Sequence, residues 1–221
     1  MLYRTELHCH TQGVSVCGKC PPEEAARLYI EAGYAGVVVT DHMNRWTFRD
    51  FPEGTPWETM VKHFISGWER FQKAAGDRLF VMLGMELRFD ENDNDYLVYG
   101  ITPEFLLAHP EMMEMNPASF SELAHENGCM IFQAHPFRDR MTVIDPRCLD
   151  GIEVYNGHKG HDSRNDIAQS WAERYGLLQI SGSDSHYVDS CGTGGILTPV
   201  PVRSSRELLE ALKSQPQLIR E

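Results

Sequence analysis

A chain of 221 residues, 42% hydrophobic and 24% charged, can bury a core of its own without disulfides and is expected to form a single domain over residues 1–221. Its 32 Asp and Glu against 20 Lys and Arg give a formal net charge of -12, which argues against a protein that coats nucleic acid with a basic face but not against one that holds cations. No stretch approaches the roughly 20 apolar residues of a membrane span, and residues 1–6 lack the apolar core of a signal peptide, so a cytoplasmic location is the expectation.

Strand-like runs cover residues 2–8, 36–40, 79–83, 96–99, 130–132, 151–155, 177–180 and 195–197. Helices are expected over 22–32, about 57–75, 117–127, 161–175 and 204–214. In the first of these Pro22 opens the first turn, Glu23 and Glu24 suit its dipole, and Gly33 ends it. Strand followed by helix, repeated, predicts an α/β fold on a mainly parallel sheet. Periodicity leaves open whether the sheet closes into a barrel. Residues 43–56 read as a long loop and 90–95 as an acidic turn between two strands. Six cysteines are scattered without a disulfide framework; Cys17 and Cys20 form a CxxC that suits redox chemistry or half a zinc site, but no second pair completes one.

Histidine placement carries the chemistry. His8-Cys9-His10 ends the first strand, and residues two apart on a strand share a face. Asp41-His42 ends the second run, Glu86 the third, His135-Pro136 follows 130–134, and Asp184-Ser185-His186 follows 177–180. In a parallel α/β fold the carboxyl ends of strands form one face, so five strand ends aim His, Asp or Glu at one rim. Nitrogen and carboxylate donors suit zinc, manganese or iron, and there are more of them than one four-coordinate ion uses. His63, His109 and His125 fall in or beside helices and read as structural. Trp46, Phe48, Phe51 and Trp57 gather around the long loop, either walling the site or packing the loop down.

The ordered set Leu7-His8-Cys9-His10-Thr11, Thr40-Asp41-His42, Gly84-Met85-Glu86, His135-Pro136, Gly151-Ile152-Glu153-Val154-Tyr155-Asn156 and Gly182-Ser183-Asp184-Ser185-His186 resembles the PHP (polymerase and histidinol phosphatase) family over about residues 5–200. The resemblance implies a distorted (β/α)7 barrel with the metal site at the carboxyl ends of its strands. It implies a metal-dependent phosphoesterase using two or three divalent ions (zinc, manganese or iron) and a metal-activated water on small phosphate esters, histidinol phosphate- or nucleotide-type phosphomonoesters among them. Carried over, His8, His10, Glu86 and Asp184 hold a first ion, Glu86 bridges to a second shared with His135, and His42 and His186 hold a third. Two positions depart from the family pattern: Cys17 stands where an Asp or His is common, and Asp95 where a His is common. Both keep ligand chemistry.

Asp184, His186 and Arg138 are the candidate catalytic residues, and Arg138, Asn156, Lys159 and Arg164 the candidate substrate-binding residues. His158 and His161 are further candidates for binding phosphate or protonating the leaving oxygen, and Lys19 is a weaker one. The expected partner is a small phosphorylated substrate; no membrane partner is expected, and the short loops around the site argue against stable nucleic-acid binding. Rival readings are a non-catalytic metal-binding or regulatory module, an amidohydrolase-type C–N hydrolase, for which no strand-end Lys is present, and a thiol redox protein using Cys17 and Cys20.

Overall fold

The computed structural model describes residues 1–221. In chain order the elements are β1 (Tyr3–Cys9), α1 (Pro22–Glu31), β2 (Tyr34–Val39), β3 (His42–Met43), α2 (Trp57–Ala75), β4 (Phe80–Arg88), β5 (Asp95–Tyr99), α3 (Pro103–Ala108), α4 (Pro117–Glu126), β6 (Met130–Gln133), β7 (Gly151–Asn156), α5 (Asn165–Tyr175), β8 (Leu178–Gly182), β9 (Gly194–Thr198), α6 (Ser205–Lys213) and β10 (Gln217–Arg220). The helices start where local chemistry starts them. Pro occupies the first turn of α1, α3 and α4, and the side chains of Thr102, Asn116 and Ser204 accept from the open amides of α3, α4 and α6.

Seven strands run round a barrel in the order β1, β2, β4, β5, β6, β7, β8. It closes just past the end of β8: Cys9 bridges Ser185 in parallel, with His10 N–H donating to the Ser185 carbonyl at 3.1 Å and Ser185 N–H to the His8 carbonyl at 3.3 Å. The opposite end stays open, because β9 takes the free edge of β1 from Tyr3 to Thr5 and β10 pairs with β9. This is the distorted seven-stranded barrel that the motif order implies.

The barrel sheet is mainly parallel with one strand reversed. β4 and β5 are joined by the acidic turn instead of a helix, so β5 runs antiparallel to both β4 and β6. The consequence is functional: the amino end of β5, with Asp95, reaches the rim that the other strands reach with their carboxyl ends. α5 also begins later than periodicity predicts, at Asn165 instead of 161, because Arg164 sits in the left-handed region at φ 48°. Residues 161–164 are therefore loop, and they lie beside the site.

The largest apolar cluster lies between β4–β7 and the helices α2–α5, with Met85, Leu87, Tyr96, Phe120 and Ile152 fully buried. Phe48 and Phe51 join it from the long loop, with Phe48 and Trp57 ring centroids 5.9 Å apart and the Trp57 indole N–H donating to the Leu106 carbonyl at 2.7 Å. These aromatics pack the loop down, while Trp46 is exposed.

Candidate metal centre

Each strand end delivers donors to one point. His8 Nε2 and His10 Nε2 lie 3.1 Å apart, each 3.3–3.4 Å from a Glu86 carboxylate oxygen and 3.2–3.4 Å from Asp184 Oδ1. Glu86 Oε1 is 3.1 Å from His135 Nε2, and Glu86 Oε2 is 2.8 Å from His42 Nδ1. His10, His42 and His186 form a further group, with His186 Nε2 3.1 Å from the Cys17 sulfur. His8, His10, Glu86, His135 and Asp184 are all buried. Asp184 and His135 adopt left-handed backbone angles, φ 49° and 28°, which non-glycine residues hold where the surroundings over-determine them.

A second layer sets which ring nitrogen faces inward. His8 Nδ1 meets Glu153 Oε1 at 2.9 Å, and the same carboxylate accepts from His135 N–H and the Asn156 amide, each at 2.9 Å. His10 Nδ1 meets Ser15 Oγ at 3.2 Å; Ser15 donates to Asp41 at 2.6 Å and also accepts from His42 N–H at 2.9 Å. His186 Nδ1 meets the Asp184 carbonyl at 2.9 Å. In their neutral forms all three imidazoles therefore carry the proton on Nδ1 and present the Nε2 lone pair to the centre, the orientation that carboxylate–histidine–metal pairings produce. Below them Glu6 is buried and accepts from the amides of Leu7, His8 and Ser183 and from the Ser183 and Tyr29 hydroxyls; burial nonetheless raises its pKa. Glu6 and Ser15 are not among the expected site residues, and Asp41 and Glu153 stand only within motifs.

The donor set fits divalent ions. Nitrogen and carboxylate donors this close repel one another unless a cation lies among them, and adjacent ligands of a tetrahedral zinc at bond lengths of about 2.0–2.1 Å stand about 3.3 Å apart. Glu86 Oε2, Asp184 Oδ1, His42 Nδ1 and His135 Nδ1 are buried without a hydrogen-bond partner. The 2.8 Å approach of His42 Nδ1 to Glu86 Oε2 lacks hydrogen-bond geometry, so it satisfies neither atom. Burial opposes charge on His8, yet Asp184, Glu153 and Glu86 hold its pKa well above the usual value, and Glu86 does the same for His42. His10 moves the other way, lowered by burial and by His186 and His42. Despite burial, Glu86 is held well below the usual carboxylate range by His42 and His8, as is Asp184 by His8 and His10. The pocket is one that demands positive charge.

A cavity of about 280 Å³ opens over this cluster. Arg88 and Arg138 line it, and so do His158 and His161, stacked with centroids 4.4 Å apart. Asp95 is present but engaged: both its oxygens accept from Arg88, each at 2.7 Å, while His135 Nε2 is 3.9 Å and Arg138 Nη2 4.0 Å away. Asn156 is buried and holds the Asp184 carboxylate at 3.1 Å, which makes it a positioning group. Like Asn156, the expected substrate-binding residues Lys159 and Arg164 stay outside the lining. Lys159 Nζ donates to the Asp189 carbonyl, and Arg164 is tied to the Phe137 carbonyl and Asp139. Lys19 donates to the Val16 carbonyl, and His63, His109 and His125 are likewise away from the cavity. The CxxC is split: Cys17 faces His186, whereas the Cys20 thiol donates to the Pro21 carbonyl at 3.7 Å.

Removing the charge from the second layer without changing its shape should be felt at the metal. Glu153→Gln is expected to weaken metal affinity about 10- to 100-fold, read by competition with a chromophoric chelator, because His8 loses its anionic partner.

The comparisons agree with this architecture. The PHP-associated family model matches residues 162–215. A two-domain protein containing a predicted PHP-like metal-dependent phosphoesterase, from Bacteroides vulgatus ATCC 8482, superposes with a TM-score of 0.66 at 18% identity over 98% of this chain and 64% of that one. PsfC from Pseudomonas syringae PB-5123 gives 0.73 at 14% identity over 100% and 92%. Endonuclease Q, in complex with a 27-mer duplex substrate with an abasic lesion at its active site, gives 0.64 at 14% identity over 99% and 58%. The chain thus spans less than two thirds of the first and third of these proteins, and at such identities the likeness is one of fold. No curated protein matches the sequence, and no helix is long and apolar enough to cross a membrane. The carboxyl-terminal part of the chain thus matches the PHP-associated model, and its seven-stranded barrel shares the fold of a structure containing a predicted PHP-like metal-dependent phosphoesterase.

Proposed function

We propose that the protein is a metal-dependent phosphoesterase acting on small phosphate esters. The observation that carries this reading is a buried cluster of metal-type donors forming the floor of a cavity whose wall bears guanidinium groups. Divalent ions held by His8, His10, Glu86 and Asp184, with His135, His42 and His186 beside them, would offset charge on phosphoryl oxygens and bring the pKa of water towards neutrality. Arg138 is 28% exposed at the side chain with no carboxylate closer than 4.0 Å, so its N–H groups remain for two phosphate oxygens. Arg88, committed to Asp95, keeps that carboxylate fixed against the cavity wall. Asn156 orients Asp184, and the Asp184 carbonyl orients His186. His161 Nε2 is buried, unpartnered and 3.6 Å from Asp184 Oδ2, the position from which a proton can pass to a leaving oxygen. At about 280 Å³ the cavity is near the small end of ligand pockets, which run from about 300 to 1,000 Å³, and favours a compact ester.

Protein loaded with manganese or zinc should release phosphate from members of a phosphomonoester panel, with an abasic duplex and a simple diester included as competitors for the reading. Arg138→Ala should lower kcat/KM by about 100-fold, near 2.7 kcal/mol at 1.36 kcal/mol per decade, and Arg138→Lys should recover part of it. Metal-replete protein that turns over no phosphomonoester would overturn the proposal.

A further inference from the structure

The rim of the metal centre carries a sulfur that the rest of the donor set lacks. The Cys17 sulfur lies 3.1 Å from His186 Nε2, while His186 Nδ1 is taken by the Asp184 carbonyl, so the Nε2 lone pair and the sulfur face the same space. His42 forms a group with His10 and His186, its ring centroid 6.4 Å from that of His186, and like Cys17 it lines the cavity. Gly18 explains how the loop reaches this point. A Cβ there would come 2.5 Å from the Thr11 carbonyl oxygen, so only glycine lets residues 11–18 fold back and carry Cys17 over the cavity. Cys17 is half-buried and lines the cavity, unlike a thiol stored in an apolar core. Its CxxC partner is elsewhere: Cys20 N–H donates to the His186 carbonyl at 3.1 Å and its thiol donates to the Pro21 carbonyl at 3.7 Å.

We infer that Cys17, His42 and His186 form a nitrogen–nitrogen–sulfur position selective for a soft divalent cation such as zinc, beside a harder nitrogen–oxygen position at His8, His10, Glu86 and Asp184. The inference rests on the metal-centre reading above and deepens it. Two imidazoles and a thiolate favour zinc or cobalt over manganese, whereas two imidazoles and two carboxylates accept manganese readily. The two positions then load different ions from a mixture, and the centre is heteronuclear by design of its ligands. Coordination requires the thiol proton to leave to solvent as the ion binds.

Differential alkylation with iodoacetamide, read at the Cys17 peptide by mass spectrometry, tests this without reference to activity. Zinc should abolish Cys17 labelling in the full-length protein, and manganese should leave it reactive. Cobalt-substituted protein should show a near-ultraviolet thiolate-to-metal absorption that is lost in Cys17→Ser and kept in Cys20→Ser. Equal labelling of Cys17 with and without bound zinc, or a cobalt band that survives Cys17→Ser, would overturn the inference; fast labelling unaffected by zinc is the behaviour of a Cys–His nucleophile instead. Failure here is separable from failure of the phosphoesterase reading. Phosphate release with Cys17 unprotected removes the sulfur ligand alone, whereas zinc-protected Cys17 with no phosphate release upholds the sulfur ligand and removes the activity alone.

Discussion

Replacing His10 with Ala, or Asp184 with Asn, is expected to lower phosphoester turnover by about a thousandfold or more, about 4 kcal/mol at 1.36 kcal/mol per decade. The reason is geometric. His10 Nε2 lies within 3.1–3.3 Å of His8, Glu86 and Asp184, and Asp184 Oδ1 is within 3.4 Å of both imidazoles, so either change removes a donor shared by the whole cluster. Metal ions contribute several kcal/mol to phosphoryl chemistry by offsetting developing charge, and that contribution goes with the ligand. Asp184→Asn keeps the volume and the contact to Asn156, so circular dichroism in chelator should change little. Unchanged turnover in either variant would remove these residues from the reaction.

Metal should also stabilise the fold itself. The centre joins β1, β3, β4, the turn after β8 and the loop after β6, segments that the unfolded chain holds far apart, so ions bind the native state alone. At an ion concentration of about 100 times Kd the stabilisation is about 2.7 kcal/mol, which for a domain of this size raises Tm by about 5–10 °C. Relief of the crowding among Glu86, Asp184 and the imidazoles is the physical source. Thermal unfolding with excess zinc against chelator measures it, and His10→Ala should lose most of the shift. Identical Tm values in the two conditions would show that no ion couples to folding.

Most of the centre was legible because its donors lie at strand ends, and a two-residue spacing on an extended backbone puts them on one face. His8 and His10 and then Asp184 and His186 follow that rule, and the structure brings both pairs to one point. The expected helices over 22–32, 57–75 and 117–127 also match α1, α2 and α4 to within a residue, where Pro and Gly punctuate the chain. What escaped depends on contacts across the barrel. Glu6 looks like an ordinary strand carboxylate until the fold seals it beneath the histidines, and the motifs that hold Asp41 and Glu153 do not show that these carboxylates will sit behind the ligand layer. Nothing local announces that Arg88 will clamp Asp95, since the pairing follows from the hairpin that reverses β5. Arg164 is expected near the site because it follows the end of β7; its left-handed backbone delays α5, and its guanidinium meets Asp139. The short α3, by contrast, carried its own signal in Thr102-Pro103-Glu104.

The most direct test is an anomalous-difference map from crystals of the full chain soaked with zinc or manganese. An ion about 2.0–2.4 Å from donor atoms of His8, His10, Glu86 and Asp184 is the predicted result. Peaks confined to the molecular surface, with these four side chains gathered around no ion at saturating metal, would contradict the account.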